Sequence, residues 1–599
     1  MNPNPVPNRI AALRGVMSEH GVDACIIPSA DPHLSEYLPE HWQARAWLSG
    51  FDGSAGTLVV TATFAGLWTD SRYFEQAERQ LGTSGVALMK LRIPHTAEHL
   101  DWLLANLSRG ASVAVAGDSL AMATANTLRD RLRTIDATLR TDLDLPGHVW
   151  PNRPPRPTAP VIEHPISHAV TTRSDKLARV RDAMHAAGAT HHFVSTLDDI
   201  AWITNLRGSD VEYNPVFLAH LLIDGERATL FAGADRFDAE LIETLQRDGI
   251  DVADYDDAAQ ALSALAADAR ILIDPARCVV ALAEALPTAV ARTTQPNPSV
   301  AMKAIKDAAE LAHIRETMRQ DGAALVAAMH GIERELGAGG TLTELDVEVR
   351  LREARAARPG FVGESFATIA GYMANGALPH YRATPENHAT LSADGLLLVD
   401  SGGQYLGGTT DITRVWAFGA VTAEQRHDAT LVLKGMIALS RAHFPAGASG
   451  PQLDALARAP IWAANADYGH GTGHGVGYFL NVHEGPHGIR PPAPGGALVP
   501  LQPGMIVSIE PGLYKPGRHG IRHENLAVVR DAGESEFGQF LAFETLTLCP
   551  IDTRAIDAGM LESSERDWLN AYQQRVEAEL APLLDDGDRA WLHARCAPM

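Results

Sequence analysis

The residues best able to do chemistry lie in a stretch of the chain that otherwise reads as apolar strands. LLLVDSGGQYLGGTTDITRVW carries Asp400 and Asp411, and YGHGTGHGVGYFLNVHEGP carries His470, His474, His483 and Glu484. GMIVSIEPGLY carries Glu510, GIRHENLAVV carries His523 and Glu524, and NGALPHYR carries His380. Asp400 ends the apolar run Leu396 to Val399, and Glu510 ends the run Met505 to Ile509. An unpaired carboxylate at such a position is costly and calls for a cation. Few lysines or arginines lie close by in sequence to supply one. Several convergent carboxylates with an imidazole point instead to bound metal. Four carboxylates and one histidine form a hard, oxygen-rich set, which favours Mn²⁺, Mg²⁺, Fe²⁺ or Co²⁺ over a thiolate zinc site. They also exceed what one divalent ion needs for neutrality. Two metals bridged by shared carboxylates balance the charge and activate a water between them. Singly, each feature is ordinary: an Asp at a strand end forms turns, a glycine-flanked histidine bonds backbone, and EPG is a turn. Their joint presence carries the signal.

The elements that must position these groups begin with a repeat. RIAALRGVMSEHGVDACII at 9–27 matches KLARVRDAMHAAGATHHFV at 176–194, pairing Ile10 with Leu177, Leu13 with Val180, Met17 with Met184 and Gly21 with Gly188. Each copy predicts an amphipathic helix, a glycine C-cap and a short apolar strand. AWLSGFDGS at 46–54 echoes AWITNLRGS at 201–209, and the repeated Trp47 and Trp202 are expected in the core. The repeat is too long for a solenoid, so two similar α/β domains in tandem are expected. PNRPPRPTAP at 151–160 separates them as an extended linker, and a second break falls near TTQPNPS at 293–299. Three domains follow: 1–153, 154–300 and 301–599. The third opens on a long helix over about 302–332, then alternates helices with short strands as an α+β fold. Its tail from Ser563 is expected to be helical and to pack on the surface or on a partner. The polar RGSDVEYNPVF at 207–217 fits either a turn or a segment facing the active site.

Composition sets outer bounds. A formal net charge of −23 argues against nonspecific binding to nucleic acid or an anionic membrane. The four cysteines, Cys25, Cys278, Cys549 and Cys596, form no CxxC pair, so a disulfide framework is not expected and a reducing cytoplasm is. No run approaches the ~18 apolar residues of a membrane span, and the N-terminus shows no apolar core of a signal peptide.

VDSGGQYLGGTTDITR, GHGTGHGVG, SIEPGLY and GIRHEN resemble the pita-bread metallopeptidases, which include methionine aminopeptidase, prolidase, aminopeptidase P and the metal-free creatinase. The family's Asp, Asp, His, Glu, Glu ligand pattern falls on Asp400, Asp411, His474, Glu510 and Glu524. IIPSADPHLSEYL, WLSGFDGSAGTLVVT, LWTDSRYF, IAWITNLRGSDVEYNPVF, NVHEGPHGI and LAFETLTLCPI extend the likeness over nearly the whole chain. They resemble the three-domain, cytosolic type of aminopeptidase P. The implied fold is two related creatinase-type α/β domains followed by a pita-bread catalytic domain. His523 departs from the pattern, at a position often apolar in relatives.

The resemblance implies a homodimeric, cytoplasmic enzyme with two divalent metals, Mn²⁺ foremost, cleaving the bond before a proline at position two of a peptide. Asp411 and Glu524 would bridge the metals, Asp400 would complete one shell, and His474 and Glu510 the other, with a hydroxide held between them. Glu510 would shuttle the proton. His380 and His483 would hold substrate and oxyanion, and His470 would be a third active-site histidine. Tyr381, Arg522 and Glu544 are expected as supporting residues. Prolidase shares all five ligands and is the nearest alternative; a noncatalytic binding protein of the same fold is a more distant one.

Overall fold

The computed structural model describes residues 4–93, 96–492 and 498–599. Its internal packing divides the chain into two units. One comprises residues up to His164 with Thr171–Val300; the other comprises Pro165–Val170 with Ala301–Met599.

The N-terminal unit holds two six-stranded sheets. Strands β1 (Ala24–Pro28), β2 (Thr57–Thr61), β3 (Ala65–Thr69), β4 (Ala87–Lys90), β5 (Ser112–Ala114) and β6 (Thr138–Arg140) run in the order β4-β3-β2-β1-β5-β6. Strands β7 (His191–Val194), β8 (His220–Ile223), β9 (Ala228–Phe231), β10 (Ile250–Ala253), β11 (Arg270–Ile273) and β12 (Ala291–Thr294) run β10-β9-β8-β7-β11-β12. The polarity repeats as well. In each sheet the first strand pairs antiparallel with the second and parallel with the fifth. The tandem repeat of the sequence is therefore a repeat of topology.

Matched residues do matched work. Helix Val6–Glu19 buries Ile10, Leu13 and Met17, and helix Arg173–Ala186 buries Leu177, Val180 and Met184. Each chain then turns through a left-handed glycine, Gly21 at φ 63° and Gly188 at φ 72°. The second echo behaves likewise. Helix Ala44–Ser49 ends at Gly50 (φ 75°), and helix Leu197–Thr204 ends at Asn205 (φ 53°). The asparagine tolerates that conformation with local bonds: Nδ2 donates to Thr171 O at 2.9 Å and Oδ1 accepts from Lys176 Nζ at 2.6 Å. Trp202 is buried as expected. Trp47 is only half-buried, stacked on Trp150 with ring centroids 5.1 Å apart and with Arg9 over its ring. Residues 153–160 take no regular structure, as their prolines require. RGSDVEYNPVF forms a turn pinned by Asp210, which accepts from Ala159 N (3.0 Å), Leu218 N (2.7 Å) and Arg236.

At the start of the C-terminal unit the expected long helix is two, Pro298–Ala304 and Ala308–Gly337. Asp307 breaks it by capping the second, accepting from Ala309 N and Glu310 N while Glu310 accepts from Asp307 N. Strand β13 (Gly395–Ser401) is buried along its whole length, which its unbroken apolar run demands. It lies between Ile369–Tyr372 and β16 (Ile412–Phe418), with a small hairpin of β14 (Gly403–Tyr405) and β15 (Gly408–Thr409) between them in sequence. A second sheet includes β17 (Gly473–Gly475), β18 (Ile506–Ile509) and β19 (Asn525–Ser535). The tail helices Ser563–Leu580 and Asp586–Arg595 belong to this unit's own core. Leu569, Val576, Leu580 and Leu592 are fully buried, and Tyr572 Oη accepts from Arg414 at 2.8 Å. All four cysteines are free and buried. Among the described residues no helix is long and apolar enough to cross a membrane.

Candidate metal centre

Two antiparallel pairings bring the carboxylates together. Asp400 lies opposite Thr413 in the β13–β16 register, and Asp411 directly precedes β16. His474 sits in β17, whose Gly475 pairs with Val507 of β18; Glu510 follows β18, whose Ile509 pairs with Asn525, the residue after Glu524. Glu524 N donates to Thr413 O at 3.1 Å, tying the second sheet to the first at this point.

Ligand atoms of Asp411, His474 and Glu524 all lie within 4.8 Å of one another. His474 Nε2 stands 3.4 Å from Asp411 Oδ2 and 3.5 Å from Glu510 Oε1. Its Nδ1 meets the carbonyl of Gly475 at 2.9 Å, a contact that puts the ring proton on Nδ1 and leaves the Nε2 lone pair facing the carboxylates. Neighbouring hydroxyls orient the acids: Ser508 Oγ donates to Glu510 at 3.1 Å and Thr413 Oγ1 to Glu524 at 2.8 Å. Arg522 donates to Asp400 Oδ2.

Burial, then the charges of Asp400 and Glu510, drives the Asp411 carboxyl well above the ordinary range. Burial, then Asp411, Glu510 and Asp400, does the same to Glu524. Asp400 Oδ1 and Glu524 Oε1 are buried without a hydrogen-bond partner. Orphaned, converging carboxylate oxygens with an imidazole lone pair among them are the surroundings that divalent cations satisfy, and Arg522 alone supplies too little positive charge. Burial opposes the charge on Arg522, but Tyr514, Asp400 and Glu510 outweigh it and hold its pKa well above the usual value.

The remaining residues singled out in the sequence fall at graded distances. His483 presents its ring edge-on to His474, centroids 4.3 Å apart. His470 stands further back. Its Nδ1 meets Gly471 O at 2.7 Å, so Nε2 accepts from Tyr514 Oη at 2.8 Å, and Tyr514 accepts from Arg522 Nη1 at 2.6 Å. His470 thus reaches Asp400 through a chain of hydrogen bonds. His380 is half-buried and follows Pro379, whose carbonyl accepts from Arg522 at 3.4 Å. Tyr381 donates to Glu344 at 2.8 Å, and Glu544 pairs with Arg315 at 2.9 Å, a contact that leads away from the cluster. Both ring nitrogens of buried His523 lack a partner, and burial pushes its pKa down to about 3. Sequence reasoning missed Tyr514, Ser508 and Thr413. Strand alternation holds a signal for one: Ser508 is two residues before Glu510, on the same face of its strand.

Residues 312–531 match metallopeptidase family M24, residues 539–599 match the C-terminal region of that peptidase, and the creatinase/prolidase N-terminal domain matches twice, over 9–142 and 152–310. The chain belongs to metallopeptidase family M24. It is 38% identical to aminopeptidase P2 of Arabidopsis thaliana, over 99% of this chain and 89% of that one. It is 38% identical to a probable Xaa-Pro aminopeptidase P of Laccaria bicolor, over 99% and 93%. The crystal structure of an X-prolyl aminopeptidase from Caenorhabditis elegans, described as a cytosolic enzyme with a di-nuclear active site, matches with a TM-score of 0.94 and 31% identity over 99% of each chain.

Proposed function

We propose that this protein is a metal-dependent aminopeptidase that hydrolyses the bond between the first residue of a peptide and a following proline. The observation that carries the reading is end-to-end likeness to Xaa-Pro aminopeptidases, 99% of both chains in the structural match, in a chain that retains all five candidate ligands. A dipeptidase reading is less well supported, because the likeness includes both N-terminal domains. The chain is read as three modules, 1–153, 154–300 and 301–599.

In this reading Asp400, Asp411, His474, Glu510 and Glu524 would hold two divalent cations, Mn²⁺ foremost. When bound, such a pair supplies an activated water and polarises the substrate carbonyl. Glu510 accepts the proton of the attacking water and returns it to the departing proline nitrogen. His483 and His380 hold the substrate and donate toward the carbonyl oxygen as it gains charge. His470, through Tyr514, steadies the Arg522 that orients Asp400. The bond before proline is a tertiary amide without N–H, so a peptidase that grips the scissile N–H has no hold on it. A site acting on the carbonyl and enclosing the pyrrolidine ring needs none. Homodimer formation and a cytoplasmic location accompany the reading.

The test is to strip the protein with chelator, refill it with Mn²⁺, and assay an Xaa-Pro-Xaa tripeptide beside an Xaa-Pro dipeptide. Metal-dependent release of the first residue from the tripeptide is expected. Cleavage of the dipeptide alone makes the protein a prolidase, and cleavage of neither points to a binding protein.

A further inference from the structure

Between His474 and His483 the chain makes a buried loop, Val476–Val482, with no strand pairing of its own. Phe479 at its tip is buried in the left-handed region, φ 49°, and Gly477 N donates to Asn481 O at 3.0 Å to close the turn. A buried backbone amide and carbonyl with no ladder partner must be met by side chains, or each costs about 1–3 kcal/mol. At Leu480 they are met by a ring of three hydrogen bonds. Leu480 N donates to Thr409 Oγ1 at 3.3 Å, Thr409 Oγ1 donates to Gln404 Oε1 at 2.8 Å, and Gln404 Nε2 donates to Leu480 O at 2.8 Å. Thr409 Oγ1 also lies 3.2 Å from Leu480 O, but its one proton takes the shorter contact. Gln404 and Thr409 face each other in the β14–β15 register, and both are buried. This hairpin lies between Asp400 and Asp411. A second anchor holds the same loop: Tyr478 Oη meets His313 Nδ1 at 2.7 Å and donates to His168 O at 3.0 Å.

We propose that Gln404 and Thr409 are positioning residues: through Leu480 they register the loop that presents His483 against the hairpin that lies between Asp400 and Asp411 in the chain. The inference rests on the reading of His483 given under Proposed function. An amide closes the ring and an ionised carboxylate cannot, because one end must donate to Leu480 and the other accept from Thr409. Glutamate has the same shape, but at Gln404 its oxygen would oppose the Leu480 carbonyl. Valine is nearly isosteric with Thr409 and removes the hydroxyl.

The experiment compares Q404E, T409V, T409S, H483A and Q404E/H483A as Mn²⁺-loaded enzymes on an Xaa-Pro-Xaa tripeptide, with melting temperature and metal content measured beside kcat and KM. Displacing a catalytic group by a fraction of an ångström to 1 Å lowers kcat by roughly 10- to 100-fold. That loss is expected for Q404E and T409V, with KM and metal content little changed. T409S should recover most of it. In the H483A background Q404E should cause no further loss, because the group it positions is gone. If H483A is impaired and Q404E still lowers kcat by its full factor in that background, the proposal fails while the reading of His483 stands. If H483A keeps wild-type kcat, both fail. Should Q404E not fold, the contrast of T409V with T409S decides, and equal kcat in those two overturns the proposal.

Discussion

The N-terminal unit and the catalytic unit both bury ionisable side chains, and they resolve the problem in opposite ways. In the N-terminal unit the buried groups include the imidazoles of His33, His192 and His220. His33 bonds Ser195 O at 2.8 Å and Tyr255 Oη at 2.9 Å, and His220 bonds Ser195 Oγ at 3.1 Å with its ring 4.7 Å from that of His33. His192 bonds Leu272 O at 3.0 Å. Burial lowers the pKa of all three, so they pack as neutral aromatic rings. In the catalytic unit the buried groups include a cluster of carboxylates with oxygens left over at Asp400 and Glu524. An imidazole can enter a core by giving up its proton near neutral pH. A cluster of carboxylates would have to take protons up against its own ordinary pKa, so a ligand cation is the natural solution. Buried ionisable groups alone therefore do not mark a site; several carboxylates converging on one imidazole, with oxygens left over, do.

The largest expected effect breaks the carboxylate side of this contrast. Asp411→Ala or Glu524→Ala should lose bound metal and on the order of a thousandfold or more in kcat/KM, since a metal's charge stabilisation is several kcal/mol. The metal-free variants should melt no lower than metal-free wild type, because a repelling charge has been removed. Metal analysis beside melting and activity in metal-free buffer checks this. Full activity in either variant would sink the two-metal reading.

A buried carboxylate of the same unit paired with a lysine outside the cluster sharpens the comparison. Glu484 meets Lys306 Nζ, with both side chains 1% exposed. Lys306→Met leaves the acid buried without its cation, and breaking a buried pair from one side costs about 3–5 kcal/mol. Urea unfolding should show this loss, and added Mn²⁺ should not restore it. Rescue by metal would mean that Glu484 belongs to the metal cluster.

The imidazole side predicts a pH dependence of defined sign. Burial brings His192 down from about 6.5 to about 4. Between those values the unfolded chain holds the proton and the folded chain does not, so stability is full above pH 6.5 and falls as pH drops toward 4. Each tenfold change in proton affinity is worth about 1.4 kcal/mol, so the loss approaches roughly 3 kcal/mol at its limit. Hydrogen exchange of peptides covering β7 and β8 should lose protection on going from pH 7 to pH 4.5. Unchanged protection there would show that these histidines are not held neutral.

What could be read from sequence follows the same line. The gathering of Asp411, His474 and Glu524 was legible because acids at the ends of apolar runs stand out one residue at a time. The paired sheets were legible because helix, cap and strand recur in the same order. Groups that act by long-range bonds left no such trace. Arg522 is expected as a supporting residue only through the resemblance, and its partner Asp400 lies 122 residues away in the chain. The ring through Gln404, Thr409 and Leu480 ends on backbone atoms, which any residue type supplies. Trp47 and Trp202 share a sequence echo but not a degree of burial, because Trp47 has Trp150 and Arg9 to lie against at the surface. The tail is helical as expected but does not lie on the surface or on a partner, because Leu569, Val576 and Leu580 recur at near-helical spacing and fill the core.

The smallest expected effect tests whether exposure, rather than pairing, is what separates these cases. Arg315 and Glu544 form a two-pronged ion pair, both contacts 2.9 Å, with side chains 43% and 29% exposed. Its geometry is that of a strong pair, but water and salt share the field between the charges, and exposed pairs contribute about 0–1 kcal/mol. Arg315→Ala should therefore cost less than about 1 kcal/mol in urea unfolding. The loss should shrink in high salt and leave kcat unchanged, since the bonds of Glu544 lead away from the metal centre. A loss as large as that of Lys306→Met, insensitive to salt, would show that burial does not set the value of an acid's partner in this unit. The contrast between satisfied and unsatisfied carboxylates would then need another cause.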